Sequence, residues 1–254
     1  MNGLLLAIQF FTVLPIKKEL PLGRKEVTAM FIALPFVGAA IGAVIYAVSV
    51  LMLDVLGSGT LLTAVFIVLT GIILTGGLHL DGWADTGDAF FSYQDREKRL
   101  EILEDPRLGA FGTMGLVLLI IVKIALFHEV LEQDLGHLTL FIALPFLART
   151  GVNSYFAITQ SAKNKGLAYF FKGKLGTNRV ILLSIISGMA VLIGLGYVVE
   201  NLMLPLLLFA VIVVGILIFR NWSLKHFGGV TGDLLGTFIE GMEAVLWIVV
   251  LLSL

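Results

Sequence analysis

The chain has 254 residues, 58% of them hydrophobic and 14% charged, with a formal net charge of −1 and a mean hydropathy of +1.02; soluble domains carry roughly 25% charged residues. Most of the chain must therefore lie in lipid, and the near-neutral balance excludes the basic field of a nucleic-acid binder, so no nucleic acid is expected as a partner. Cysteine is absent, which removes disulfides, thiolate zinc sites and cysteine nucleophiles and leaves carboxylates and histidines as the metal ligands to consider.

Met1-Asn2-Gly3-Leu4 has no basic n-region and no small-residue cleavage site behind it, so a removed signal peptide is not expected. The apolar opening from Leu4 to Ile16 is too short to span and is interrupted at Pro15; it reads as an interfacial or re-entrant helix. Crossing a hydrocarbon core of ~30 Å takes about 20 mostly apolar residues as a helix, because every backbone amide must be paired within the segment. The stretches 28–53, 58–80, 110–127, 137–158, 180–199, 202–219 and 236–254 meet that requirement. The expected fold is an all-α, polytopic transmembrane helical bundle of about seven spans, organised as one integral membrane catalytic domain over residues 1–254.

The loops alternate in charge. Lys17, Lys18, Arg24 and Lys25 precede the first span; Arg96, Lys98, Arg99 and Arg107 lie between the second and third; Lys163, Lys165, Lys172, Lys174 and Arg179 follow the fourth; Arg220 and Lys225 follow the sixth. The loops between carry Asp54, then Glu129, Glu132 and Asp134, then Glu200. Fifteen of the 17 basic residues thus fall in alternate loops, which the positive-inside rule reads as a cytoplasmic N-terminus and an extracytoplasmic C-terminus. The loops at 81–109 and 159–179 are long enough to cap the cytoplasmic face.

Asp81, Asp85 and Asp88 are spaced by four and three, so at about 100° per residue a helix gathers the three carboxylates within roughly 60° of arc. Such a face repels itself unless a cation sits in it, and hard oxygen ligands suit Mg²⁺, Mn²⁺ or Ca²⁺. A solvated helix end with an aspartate cap is the plain alternative; the neighbouring span and the thin backbone at Gly82 and Gly87 favour the site. In the same loop Pro106 is expected to begin the helix of the third span, leaving Asp105 near its N-cap and Arg107 as a bidentate fork for phosphate.

Gly228-Gly229-Val230-Thr231-Gly232-Asp233 reads as a loop entering the last helix, offering amides to phosphate or Asp233 to a metal, or forming an ordinary turn. Lys172-Gly173-Lys174 reads as a mobile basic loop tip able to hold phosphate, although topology alone also demands inner-face cations. Lys123, Arg149, Glu240 and Glu243 fall inside spans, where ionisable residues are functional candidates or interhelical pairs. His79 points about 160° away from the aspartate face on a continuous helix, as a packing or supporting residue. No Gly-x-x-x-x-Gly-Lys-Ser/Thr loop and no dinucleotide fingerprint is present. Carboxylates beside converging basic groups suggest metal-assisted phosphoryl transfer at the cytoplasmic surface; the alternative is a carboxylate-based, cation-coupled membrane transporter. The acidic set at one membrane edge, not the midplane, and the lack of inverted repeats favour the enzyme.

The run Gly76 to Asp88 (Gly-Gly-Leu-His-Leu-Asp-Gly-Trp-Ala-Asp-Thr-Gly-Asp), then Asp105 to Gly112 (Asp-Pro-Arg-Leu-Gly-Ala-Phe-Gly), then Gly228 to Asp233 resembles the signature blocks of the adenosylcobinamide-GDP ribazoletransferase, or cobalamin synthase, family. Phe10 to Pro15 and Phe171 to Lys174 match as well, so the resemblance runs end to end. It implies a multi-pass inner-membrane enzyme in which a hydroxyl of α-ribazole or its 5′-phosphate attacks adenosylcobinamide-GDP with Mg²⁺, GMP leaving and adenosylcobalamin or its phosphate forming. A homo-oligomer is compatible with this. The aspartate block is also distantly similar to the CDP-alcohol phosphotransferase motif, Asp-Gly-x-x-Ala-Arg with two later aspartates, although here Asp85 follows Ala84 where that motif has arginine. Carried over, that motif maps catalysis and metal ligation onto Asp81, Asp85, Asp88 and Asp105. Arg107, Lys123, Arg149, Lys172, Lys174, Thr231 and Asp233 complete the set as candidates for holding substrate and its phosphates.

Overall fold

In lipid a helix pairs every backbone amide within its own segment, and the computed structural model, which describes residues 2–92 and 95–254, is built of helices with no strand among those residues. Six are long and apolar enough to cross a membrane: α2 (Arg24–Val50, extended by a π-helical turn at Leu51–Val55), α6 (Ala110–Glu132), α7 (Leu138–Ile158), α9 (Thr177–Val199), α10 (Met203–His226) and α11 (Gly232–Ser253). The shorter elements are α1 (Asn2–Phe11), α3 (Thr60–Thr75), α4 (Leu78–Ser92), α5 (Arg96–Ile102) and α8 (Gly166–Lys174). The molecule is a multi-pass membrane bundle of six spans, or seven where α3 and α4 count as one.

The second span departs from the expectation of a helix running through 58–80. It stops at Thr75, because Gly76 and Gly77 both adopt left-handed backbone (φ 64° and 75°), and α4 leaves at 92° to α3. L side chains rarely take that conformation and glycine takes it freely, so the Gly-Gly pair sets the corner. The aspartate helix is therefore a separate element, bent away from α3. A second departure is at α6, which begins at Ala110 with Gly109 as N-cap, not at Pro106; Asp105 closes a local turn onto the Arg107 amide instead (3.1 Å). The N-terminal helix has the expected sub-spanning length, packs on α2 and buries Leu6 and Ala7.

The least apolar of the six spans, α7, is the most buried, with 83% of its apolar window inside the protein against 22% for α10. Lipid is as apolar as leucine, so hydropathy does not send a helix inward; small residues and satisfiable polar groups do. Asn153 of α7 donates to the Phe31 carbonyl (2.7 Å) and to Ser184 Oγ (3.2 Å), joining α2, α7 and α9. Aromatic pairs fill the remaining volume, with Phe31 stacked on Phe156 at 4.8 Å and Phe141 edge-on to Trp247 at 5.0 Å.

The basic loops meet at one end of the bundle. Arg96 donates to the Phe227 and Ala162 carbonyls (3.0 and 3.3 Å), Lys163 to the Leu100 carbonyl (3.0 Å) and Lys174 to the Leu22 carbonyl (2.8 Å). Val230 and Ala162 complete the cap, their N–H groups donating to Gln160 and Val230 carbonyls (2.8 and 3.0 Å). At the opposite end Thr60 Oγ1 donates to Glu132 (2.5 Å).

Candidate active site

The site is assembled by α4 lying against α11 on one side and α6 on the other. At Gly82 the backbone of Asp233 comes so near that a Cβ would overlap its carbonyl. Thr237 Oγ1 locks that contact, 2.9 Å from the Gly82 carbonyl, 2.9 Å from the Asp233 carbonyl and 2.8 Å from Thr86 Oγ1. At the other side Gly109 and Gly112 sit directly on the Asp88 carboxylate, where a Cβ at either would collide with it. Asp88 Oδ2 accepts the Gly109 N–H at 2.6 Å, a charge-assisted bond at the start of α6 where the helix dipole favours an anion.

The aspartate face expected from the spacing is present on one continuous helix, and it is graded: Asp81 is exposed, Asp85 half-buried and Asp88 buried. Asp233, in the first turn of α11, joins them, so that Asp85 lies within the fields of Asp81, Asp233 and Asp88. None of these four carboxylates forms an ion pair among the described residues. Asp81 and Asp85 make no side-chain hydrogen bond there either, whereas Asp88 is engaged by Gly109 and Asp233 accepts from Thr231 Oγ1 (3.2 Å). As placed, no group of three or more His, Asp or Glu side chains closes to metal-ligand distances among the described residues. The donor set is nonetheless all oxygen, anionic and uncompensated, the chemistry a hard divalent cation takes.

Asp105 stands apart from this group. Its carboxylate is bound in a bidentate fork by the Arg107 guanidinium (2.9 and 2.7 Å), which holds its pKa down at about 2. Arg107 is turned to solvent and Asp105 is half-buried.

Beside Asp233 a pocket of about 300 Å³ opens between α8 and α11, lined among others by Lys163, Lys165, Thr231 and Glu104. Glu104 accepts from Lys163 (2.9 Å) and Lys165 (3.0 Å), and these bonds hold its carboxyl below the usual carboxylate range. Thr231 is the N-cap of α11, accepting the Leu234 N–H (3.3 Å). The start of α11 and the two lysines, both paired with Glu104, thus stand next to the acidic face.

Lys172 and Lys174 occupy the last turn of α8, not a loop tip. The Lys172 ammonium turns inward onto the carbonyls of Phe156 and Ala157 at the end of α7, and Lys174 onto Leu22, its nitrogen 3.9 Å over the Phe170 ring. Cations suit the carbonyl-rich C-terminal end of a helix. Lys123 and Arg149 are likewise inside the bundle: Lys123 pairs with Glu240 (2.5 Å) and Glu243 (3.7 Å), and Arg149 pairs with Glu243 and donates to the Pro145 carbonyl (3.0 Å). His79 faces this group, 4.0 Å from Glu240, and neither ring nitrogen has a hydrogen-bond partner among the described residues. The pairing is interhelical, joining α6, α7 and α11 beneath the root of α4.

Thr86, Thr237 and Arg96 position the site without having stood out in the sequence. The threonines sit on separate helices with no motif to join them. Arg96 and Arg99 counted in the sequence only as basic loop residues; Arg99 stacks over Phe90 (5.0 Å) and its Nη1 lies 2.8 Å from His226 Nδ1.

Comparison with known proteins identifies the family. The model of the cobalamin-5-phosphate synthase family matches residues 3–251. A protein of Geobacillus thermodenitrificans named adenosylcobinamide-GDP ribazoletransferase is 35% identical over 98% of this chain and 95% of its own length. One of the same name from Clostridioides difficile is 32% identical over 96% of this chain and 95% of its own. No solved structure matches. The full-length family match, with the aspartate helix inside it, places the chain in the cobalamin-5-phosphate synthase family.

Proposed function

We propose that this chain transfers the adenosylcobinamide phosphate group of adenosylcobinamide-GDP to α-ribazole or its 5′-phosphate. The acceptor hydroxyl oxygen forms a bond to the phosphorus next to adenosylcobinamide, the P–O–P bond to the guanosine phosphate breaks, GMP leaves, and the hydroxyl proton passes to a carboxylate. The observation that carries this reading is the juxtaposition of four carboxylates, none in an ion pair among the described residues, with a lysine-lined pocket, Asp233 belonging to both.

Asp81, Asp85 and Asp233 would hold a divalent cation, Mg²⁺ by the oxygen chemistry of the set. When bound it supplies charge neutralisation to a diphosphate. Lys163, Lys165 and the amides at the start of α11 bind phosphoryl oxygens on the other side, Asp88 fixes α4 to α6, and Asp85 or Asp81 accepts the proton. Asp105 and Arg107 are substrate contacts at the rim in this reading, not ligands. A site on the cytoplasmic side of the inner membrane is supported by the fifteen of 17 basic residues that fall in the alternate connecting segments of one side.

The test is GMP release from adenosylcobinamide-GDP and α-ribazole by the protein in liposomes. Wild type with Mg²⁺ is active; EDTA, Asp81→Asn and Asp85→Asn each lower the rate by more than about 10²-fold, beyond the effect of losing an outer-shell partner. Full activity in EDTA or in either variant overturns the metal assignment. The paired charges around Lys123 are the feature a cation-coupled carrier would share; such a carrier gives flux and no GMP in the same vesicles.

A further inference from the structure

Away from the aspartate helix, a groove of about 1090 Å³ is lined by α2 and the start of α9. Its rim is basic: Arg24, Lys25 and Arg179, all exposed, make no side-chain hydrogen bond or ion pair among the described residues. Both helices start there, α2 after Gly23 and α9 after Gly176, and neither N-cap supplies a side-chain acceptor. Glu26 folds back toward Gly23 and does not line the groove. The two helices are joined at the rim by the Gly176 N–H donating to Thr28 Oγ1 (2.8 Å).

Below the rim the wall becomes apolar, through Ile32, Ala33 and Phe36 on α2 and Leu183 on α9, with Phe36 55% exposed. From Arg24 to Phe36 is 12 residues, or about 18 Å of helix at 1.5 Å per residue, slightly more than half of a ~30 Å hydrocarbon core. The groove is therefore as deep as one leaflet, charged at the headgroup level and apolar beneath it.

We infer that this groove is a binding site for an anionic phospholipid, its phosphate held by Arg24, Lys25, Arg179 and the start of α9, and an acyl chain lying along Ile32, Phe36 and Leu183. A soluble phosphate compound would satisfy the rim and leave the apolar length unused; a zwitterionic lipid would use the length and bring a cation to a cationic rim. A single basic side chain at an anionic headgroup is worth about fivefold in affinity, so three convergent ones give a preference of tenfold or more.

Native mass spectrometry of the detergent-purified chain, with phosphatidylglycerol and phosphatidylcholine added in equal amounts, reads that preference directly. Wild type retains phosphatidylglycerol by tenfold or more, and Arg24→Gln/Lys25→Gln/Arg179→Gln brings the ratio near one. Lys17→Gln/Lys18→Gln, outside the groove, leaves it unchanged. Equal retention by wild type, a preference that survives the triple substitution, or displacement of the lipid by inorganic phosphate or GMP overturns the assignment. Should the triple variant fail to fold, each single substitution lowers the ratio roughly fivefold, and three silent singles refute the site.

Discussion

One short helix, α4, borders two charged regions of opposite character. On the bundle side, His79 faces Lys123, Arg149, Glu240 and Glu243, whose two positive and two negative groups are matched in ion pairs. On the other, Asp81, Asp85 and Asp88 meet Asp233 with no basic partner in ion-pair contact among the described residues. A matched set in lipid holds helices together, since an unpaired charge there is costly. An unmatched set contributes repulsion to the folded state and finds relief only from a cation or a substrate that arrives. The difference separates architecture from chemistry among residues that look equally unusual in a hydrophobic sequence.

The comparison breaks if the two regions respond alike to neutralisation. Glu243→Ala strands Arg149 inside the bundle and should cost on the order of 3–5 kcal/mol, read as loss of folded protein or a large fall in melting temperature in detergent. Asp85→Asn removes like-charge repulsion and should leave the melting temperature unchanged or raised while activity is lost, the trade-off of a strained functional site. A melting temperature lowered equally by both would show the aspartates to be structural.

A smaller effect sharpens the geometry. Gly112→Ala puts a methyl group against Asp88 and the Ala84 carbonyl and should separate α6 from α4; misplacement by about 1 Å can cost roughly 10²-fold in rate, so turnover falls with the fold retained. Unchanged kinetics would show that the α4–α6 contact does not set the site.

The smallest concerns Lys172, which burial pushes down from 10.5 to about 8. The folded state thus releases this proton before the unfolded chain does, so its contribution to stability rises between about pH 8 and 10.5 and is flat below. Lys172→Met should flatten that rise in melting temperature; an identical pH profile would show that Lys172 is solvated in both states.

Much of this was legible in the chain itself. Lipid demands long apolar helices, so the span positions, the alternation of basic loops and the shared face of Asp81, Asp85 and Asp88 follow from composition and a 3.6-residue period. Asp233 was visible as a candidate, though nothing in the sequence joins it to Asp85 across some 150 positions. Lys172 and Lys174 looked like free cations because inner-face charge and phosphate-binding charge have the same sequence signature; only their carbonyl partners tell them apart. Asp105 looked like a ligand by its motif, but its nearest partner is two residues away.

The sequence by itself determined a multi-pass helical membrane protein with an acidic helix at one edge, because hydropathy and periodicity are local properties that the bilayer reads one segment at a time. The tertiary structure decided which helix is central, that α4 turns through 92° at Gly76-Gly77, and which charges are paired. Those depend on the distance between groups far apart in the chain, and only packing fixes it.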